Sequence, residues 1–505
     1  MKARLLLVGA LPLISFAALN CSDASFCEGA ACGVVDGGPS DATVQDGGSS
    51  DAMANGDQNV PPVGCNTALD LSPQAACVTE SNGLFVNASA SGGGTGTRAA
   101  PFRSIQAAVA AAGGARPNIF VCAGTYAESV TLTASINLYG GFSCADWSYA
   151  TTNVAKVAPA NSGYALQLTG VSAATIEDLE LDAMPGANAG DSSIAVFLVS
   201  STATFSRDAI SAGPAGATPP KAGTELNYPA DQTTADGGLF GSGDDGRGQQ
   251  TCASCLLSTT PVSVGGGSGA VGLNGGAGGP IIPGGDSSGA GGATPTTVCN
   301  NGTPGADGLD AGGGGAVTAA GSASAAGWTP ATGLSGQVAP VAQGGGSGAP
   351  GSKTGGGGGG GCGGCGGGGG LGGVAGGSTF AVLSYMSDAK FSSSTLTVKA
   401  AGNGGAGGDG QRGQLGGNGG SPTLGGAGCL GASGGNGSMG GGGSGGPGGI
   451  AAAVGYVGAS PTPAGLTGTT VSLPQGAATG GPGGNGGTPA AAAGAPGQVA
   501  AVVAL

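Results

Sequence analysis

The sequence predicts an all-β chain of stacked solenoid coils, and three observations predict it. Short apolar runs at 119–122, 130–132 and 136–139 are separated by Gly, Asn and Thr, as in coils that stack. The chain also repeats itself. Residues 174–183 align with 203–212 at an offset of 29, and the segment from Ile194 through Phe205 and Ile210 recurs as Phe380 through Phe391 and Leu396 at an offset of 186. Apolar residues recur at matching places while those between them vary, which is what an inward row of a solenoid requires. Finally, a glycine-rich block follows each copy at the same point, as though every coil ejected a loop from one corner.

The elements follow in order. Lys2 and Arg4 precede a short apolar run, so 1–20 reads as an export signal. Cys21 then stands where a lipobox cysteine would be acylated, with ordinary cleavage after Ala17 as the alternative. Residues 21–61, rich in Asp, Gly, Ser and Ala, read as a flexible tether. Residues 62–212 carry the N-terminal cap and first coils, with a helix at 104–112 and Ser104 as its N-cap. The 213–377 glycine block precedes a coil at 378–400. The 401–449 block precedes a weaker coil copy at 450–474, and 475–505 combines glycine sequence with a last strand.

Composition excludes several chemistries. The chain has 505 residues, 119 of them Gly and 29 Pro, a low-complexity balance. It has no His, which removes Ser-His-Asp triads and imidazole acid–base catalysis. Thirteen basic against 27 acidic side chains give a net charge of −14, a poor field for nucleic acid. Runs such as 404–409 and 480–488 are Gly-Gly-X, and three residues per turn is the polyproline-II repeat. The glycine blocks are therefore either mobile loops or bundles of such helices.

The series GTGTRAAPFRSIQAAV (94–109), VCAGTYAESVTL (121–132) and INLYGGF (136–142) resembles the cap and first coils of pectin-lyase-like right-handed parallel β-helices. The resemblance covers about residues 80–145 and implies a right-handed parallel β-helix carrying glycine-rich insertions. Enzymes of that type act through Asp and Arg or Lys clusters on middle coils, and none of those motifs is matched here. Coils joined to long Gly-Gly-X inserts also resemble the glycine-rich PGRS-type surface proteins of bacteria.

Thirteen cysteines become an even twelve if Cys21 is acylated, which suits disulfides in an exported chain. Cys27 with Cys32, Cys65 with Cys77 and Cys122 with Cys144 are natural local pairs. Cys252, Cys255, Cys299, Cys362 and Cys365 share one glycine block and Cys429 lies in the next, so full pairing sends at least one bridge out of the first block. The two CxxC pairs are too far apart for a zinc ribbon, and disulfides are the better reading.

On a regular strand, Asp178, Glu180 and Asp182 would share one face about 6.5–7 Å apart, near the spacing of an inverting glycosidase's acid pair, and such a carboxylate ladder is also the oxygen-rich kind of surface that holds calcium. Against that stands a solenoid's ordinarily polar outer face, and the aligned coil sets Arg207 beside Asp178 as a plain ion pair. No catalytic constellation, cofactor or metal is expected. The expected role is structural or adhesive, on the outer membrane or cell surface, with the membrane as partner through a lipid anchor and extracellular polysaccharide or other surface proteins as candidates. A polysaccharide-binding or polysaccharide-degrading protein is the alternative.

Overall fold

The computed structural model describes residues 64–66, 70–113, 116–161, 163–241, 250–257, 264–265, 274–279, 289–293, 300–351, 355–422, 428–458, 466 and 468–505. The expected signal and tether, with Cys21, Cys27 and Cys32, lie outside these residues, as does Cys299.

The described chain begins with β1 (Gly83–Val86) and the helix α1 (Ile105–Ala111). Three rounds of strands follow: β2 (Asn118–Cys122), β3 (Gly124–Tyr126) and β4 (Val130–Leu132); β5 (Asn137–Phe142), β6 (Ala155–Val157) and β7 (Leu166–Thr169); β8 (Ala174–Glu177), β9 (Leu179–Asp182) and β10 (Ser193–Val199). β11 (Thr202–Ser206) and β12 (Ala209–Ala212) open a fourth. The first glycine block carries two antiparallel pairs, β13 (Gln250–Thr251) with β14 (Val264–Gly265) and β15 (Gly321–Ser324) with β16 (Gly327–Pro330). Beyond it come β17 (Thr379–Tyr385), β18 (Asp388–Ser392), β19 (Thr395–Val398), β20 (Ala451–Val457), β21 (Thr470–Ser472) and β22 (Val499–Ala504).

These strands form three six-stranded sheets: β1-β2-β5-β8-β11-β18, then β3-β6-β9-β12-β19-β21, then β4-β7-β10-β17-β20-β22. Neighbours pair in parallel, and from β2 to β19, the β13–β16 pairs of the glycine block apart, the chain visits the first, second and third sheets in rotation. The sequence repeats are the strand register: Ala203 pairs with Ala174, Phe205 with Ile176, Phe380 with Ile194 and Phe391 with Phe205.

Alternation explains why the strands hold. Along the first sheet Leu138, Ile176, Phe205 and Phe391 stack inward, the last two rings parallel at 5.3 Å. Val157, Leu181, Ile210 and Leu396 make the matching column of the second. Each is buried, and burial of such a side chain stabilises by about 1.5–3 kcal/mol. Helix α1 covers the start of this core with Ile105 and Ala108, its Ser104 cap accepting the Ala107 N–H as expected. The Glu128 carboxylate accepts two more unpaired first-turn donors, the Ile105 and Gln106 N–H groups. Cys65–Cys77 and Cys122–Cys144 form as expected, around an aromatic cluster of Phe85, Phe120, Phe142 and Trp147 outside the first sheet.

The glycine blocks leave the coils from one corner, between the second and third sheets, after β12, β19 and β21. Their described residues are ordered by backbone hydrogen bonds at every third residue. Gly358, Gly361, Gly364, Gly367, Gly370 and Gly373 donate to Cys429, Ala432, Gly435, Ser438, Gly441 and Ser444 in turn, all at 2.8–2.9 Å. Gly434, Gly437, Gly440 and Gly443 donate back to Gly417, Gln414, Gln411 and Gly408, in antiparallel order. This is a bundle of three-residue-per-turn segments packed side by side, so of the two expectations for these blocks the bundle is the one realised. Segment 355–377 runs through its middle and is buried wherever it is nearly all glycine.

The three-residue turn also explains the CxxC pairs. Residues three apart lie on one face, so Cys252 and Cys255 meet Cys362 and Cys365 in two successive rungs, Cys252–Cys362 and Cys255–Cys365. Their sulfurs are thus committed to disulfides and not to a metal. Cys429 is also disulfide-bonded. The other eight described cysteines pair among themselves, so its partner lies outside the described residues.

Candidate functional site

The three carboxylates do not form one face. Asp178 is no strand residue; it sits between β8 and β9 at φ +55, a left-handed conformation that Asp tolerates better than most residues. Arg207 (φ +57) and Ser393 (φ +51) occupy the same corner of later coils, so the turn belongs to the coil and breaks the assumed alternation there.

Asp178 instead belongs to a half-buried cluster. Arg207 grips it with two hydrogen bonds, Nε to Oδ1 at 2.9 Å and Nη2 to Oδ2 at 2.7 Å, while the Tyr149 hydroxyl donates to Oδ2 at 3.1 Å. The same Arg207 Nη2 lies 2.6 Å from Asp70 and 3.5 Å from Glu177. Burial, then the hydrogen bond with Asp70, push the Glu177 carboxyl up to about 8, so it is largely protonated at neutral pH. Below it the fully buried Asp208 accepts the Leu179 and Ser206 N–H groups, and burial holds its carboxyl well above the usual range. A carboxyl held neutral can act as a proton donor in an open site. Here Asp70 and Ser72, whose hydroxyl donates to Glu177 at 3.3 Å, close it over, so the cluster clamps the cap segment to the coils.

Glu180 and Asp182 do share a face, as alternation requires, but Lys156 of the preceding coil lies between them, 2.7 Å from Glu180 and in contact with Asp182. Those two hydrogen bonds raise the Lys156 ammonium above its ordinary value. One cation thus occupies the place a calcium ion would take. Lys156 stands opposite Glu180 one coil back, in the β6–β9 register, so its signal lies in the coil that precedes 174–183.

Side chains from separate turns converge on an open cleft of about 790 Å3. It lies at the corner from which the glycine blocks leave, one and two coils earlier. The β6–β7 turn contributes Asn161 and Tyr164, and the β9–β10 turn contributes Asn188 and Asp191. The β15–β16 hairpin reaches over from the glycine block with Trp328 and Pro330. The Tyr164 ring packs on Phe197 at 4.9 Å and Trp328 edge-on against Phe380 at 5.2 Å, so both rest on the outer face of the third sheet. At the hairpin turn Gly327 has φ +119, and a Cβ there would stand 2.6 Å from the Tyr164 hydroxyl, so only glycine lets the hairpin come down. The 184–193 turn is pinned as well: Gly190 donates to Ala217, Gly186 to Pro214, and the Ser193 hydroxyl to Met184. Asp191 Oδ2 accepts the Asn188 side-chain and backbone N–H groups at 2.9 and 2.8 Å. Sequence reasoning missed this site; its signal was one of only two tryptophans standing inside a glycine block.

No protein-family model, curated protein or solved structure matches the chain.

Proposed function

We propose that the protein is an exported, lipid-anchored surface protein in which a right-handed parallel β-helix holds a glycine bundle outward in an adhesive or structural role. The observation that carries this reading is the bundle itself. A continuous lattice of backbone hydrogen bonds, cross-linked by two disulfide rungs, is a stiff element with little side-chain chemistry inside it. The charged start of the chain and Cys21 support export and acylation, and the resemblance to PGRS-type surface proteins points the same way. Polysaccharide cleavage is the weaker reading, because an acid pair needs one protonated and one bare carboxyl, and Lys156 holds both Glu180 and Asp182.

The test is to express the full chain and a Cys21→Ser variant in a bacterium, label intact cells with antibody, follow fatty-acid incorporation and measure adhesion. Surface label, fatty acid on Cys21, and adhesion that falls with the variant are expected. Intact cells that take no label, or adhesion unchanged when the gene is removed, would overturn the proposal.

A further inference from the structure

We propose that the cleft between Tyr164, Asp191 and Trp328 binds a neutral, pyranose-based glycan, which makes it the recognition site of the adhesive protein. This rests on the adhesive reading and supplies its ligand.

Four features carry the assignment. The volume, about 790 Å3, lies within the range of small-ligand sites and exceeds what a single buried side chain would need. Two aromatic side chains line one cleft, each backed by a buried phenylalanine, which is the arrangement that receives the axial C–H face of a pyranose ring. Around them stand Asn161, Asn188 and Asp191, planar groups that pair with vicinal hydroxyls. The walls are also fixed in advance by the Gly190, Gly186 and Ser193 hydrogen bonds and by the descent of the hairpin onto Tyr164, so binding orders little. Charge selects among glycans. A carboxylate inside the cleft of a chain with net charge −14 disfavours uronic acid and sulfated polymers.

The test uses the disulfide-intact, soluble Cys21→Ser chain titrated with β-1,4-glucan, β-1,3-glucan and β-1,4-galactan hexasaccharides, with hexagalacturonate as the anionic control. A Trp147→Phe version leaves Trp328 as the sole indole, so its emission reports occupancy of the cleft without disturbing it. Saturable binding of at least one neutral hexasaccharide is expected, with a shift in Trp328 emission and a loss of about ten-fold or more in Tyr164→Ala and Asp191→Asn. Binding with unchanged emission and unchanged affinity in both variants would overturn the cleft. Equal or tighter binding of hexagalacturonate would overturn the neutral class. If no hexasaccharide binds while cells bearing the protein still adhere, the glycan assignment falls and the adhesive reading stands; if a hexasaccharide binds and cells do not adhere, the adhesive reading falls instead.

Discussion

Replacing Gly367 by alanine tests whether the glycine blocks are a close-packed lattice. A Cβ at this position would stand 1.7 Å from the Gln411 carbonyl oxygen and 2.8 Å from the Gly440 nitrogen, where ordinary contact begins at 3.4 Å. The neighbouring segment must therefore retreat by about 1.5 Å, since a packed interior offers no slack. Three hydrogen bonds meet at this point: Gly367 to Ser438 at 2.9 Å, Gln411 to Gly368 at 2.8 Å and Gly440 to Gln411 at 2.9 Å. Overpacking costs about 1–3 kcal/mol and each buried group left unpaired about 1–3 kcal/mol more. With the displacement shared along the segment, the expected loss is about 4 kcal/mol. Gly315→Ala is the control, because its Cβ would meet only Leu334 Cδ1, at 3.7 Å. Scanning calorimetry should place the bundle's melting about 8–16 °C lower in Gly367→Ala, and within about 2 °C of the parent in Gly315→Ala. Hydrogen exchange should show lost protection along 405–417 and 434–443 in the first variant alone. Equal melting of the two variants would refute the close approach and return the blocks to loose loops.

Three further outcomes follow from the same geometry. The Cys252–Cys362 and Cys255–Cys365 rungs each span 110 residues, so either alone closes nearly the same loop. Removing one rung should cost about 1–2 kcal/mol and removing both about 4–5 kcal/mol, and an additive result in thermal melts would contradict this. Because the bundle buries peptide groups more than apolar side chains, the heat capacity of unfolding should fall below the usual value of about 12–15 cal/mol/K per residue in calorimetry. Glu177 titrates in the folded state at about 8 against an ordinary 4.5, so between those values the folded state holds more protons than the unfolded. This contribution to stability should be fully present below about pH 4.5 and be lost as pH rises towards 8, with buried Asp208 acting in the same direction. Glu177→Gln should flatten that slope in melts taken across pH, and a stability that rose over this window would refute the assignment.

Much of the coil stack was legible because its information is local and repeated. The 29- and 186-residue offsets are the register of paired strands, and Ser104 caps its helix as its position before an Ala-rich run implies. The site was less legible. A corner residue such as Asp178 carries no mark of its left-handed φ, since Arg207 and Ser393 hold the same corner with unrelated side chains. Lys156 and Glu180 meet only through the pairing of β6 with β9, and Tyr164 and Trp328 meet across more than 150 residues of chain. Such contacts depend on where the coils bring segments together, which no single window of sequence contains.

The coils also explain how blocks so poor in side chains acquire one register. Glycine pays a large entropy on ordering, and a lone extended segment has no hydrogen bonds of its own to offset it. Each segment here starts from a strand whose partner is already set. β19 pairs with β21 at Thr395 and Thr470, an offset of 75, and beyond the corner Gly404 donates to Thr479 and Gly407 to Pro482 at the same offset. On the return path Gly370 and Gly373 donate to Gly441 and Ser444, 71 residues on, one short of the 72 that separates Thr379 from Ala451 in β17 and β20. The outgoing and returning layers are therefore extensions of the second and third sheets, with hydrogen bonds at every third residue in place of the strand pattern. Strand pairing supplies the nucleus and period three carries it outward. The bundle's order should accordingly decay from the corner towards the tips if the coils are weakened, and a Phe205→Ala change in the coil core should loosen the segment at 402–408 before the one at 414–420 in hydrogen exchange.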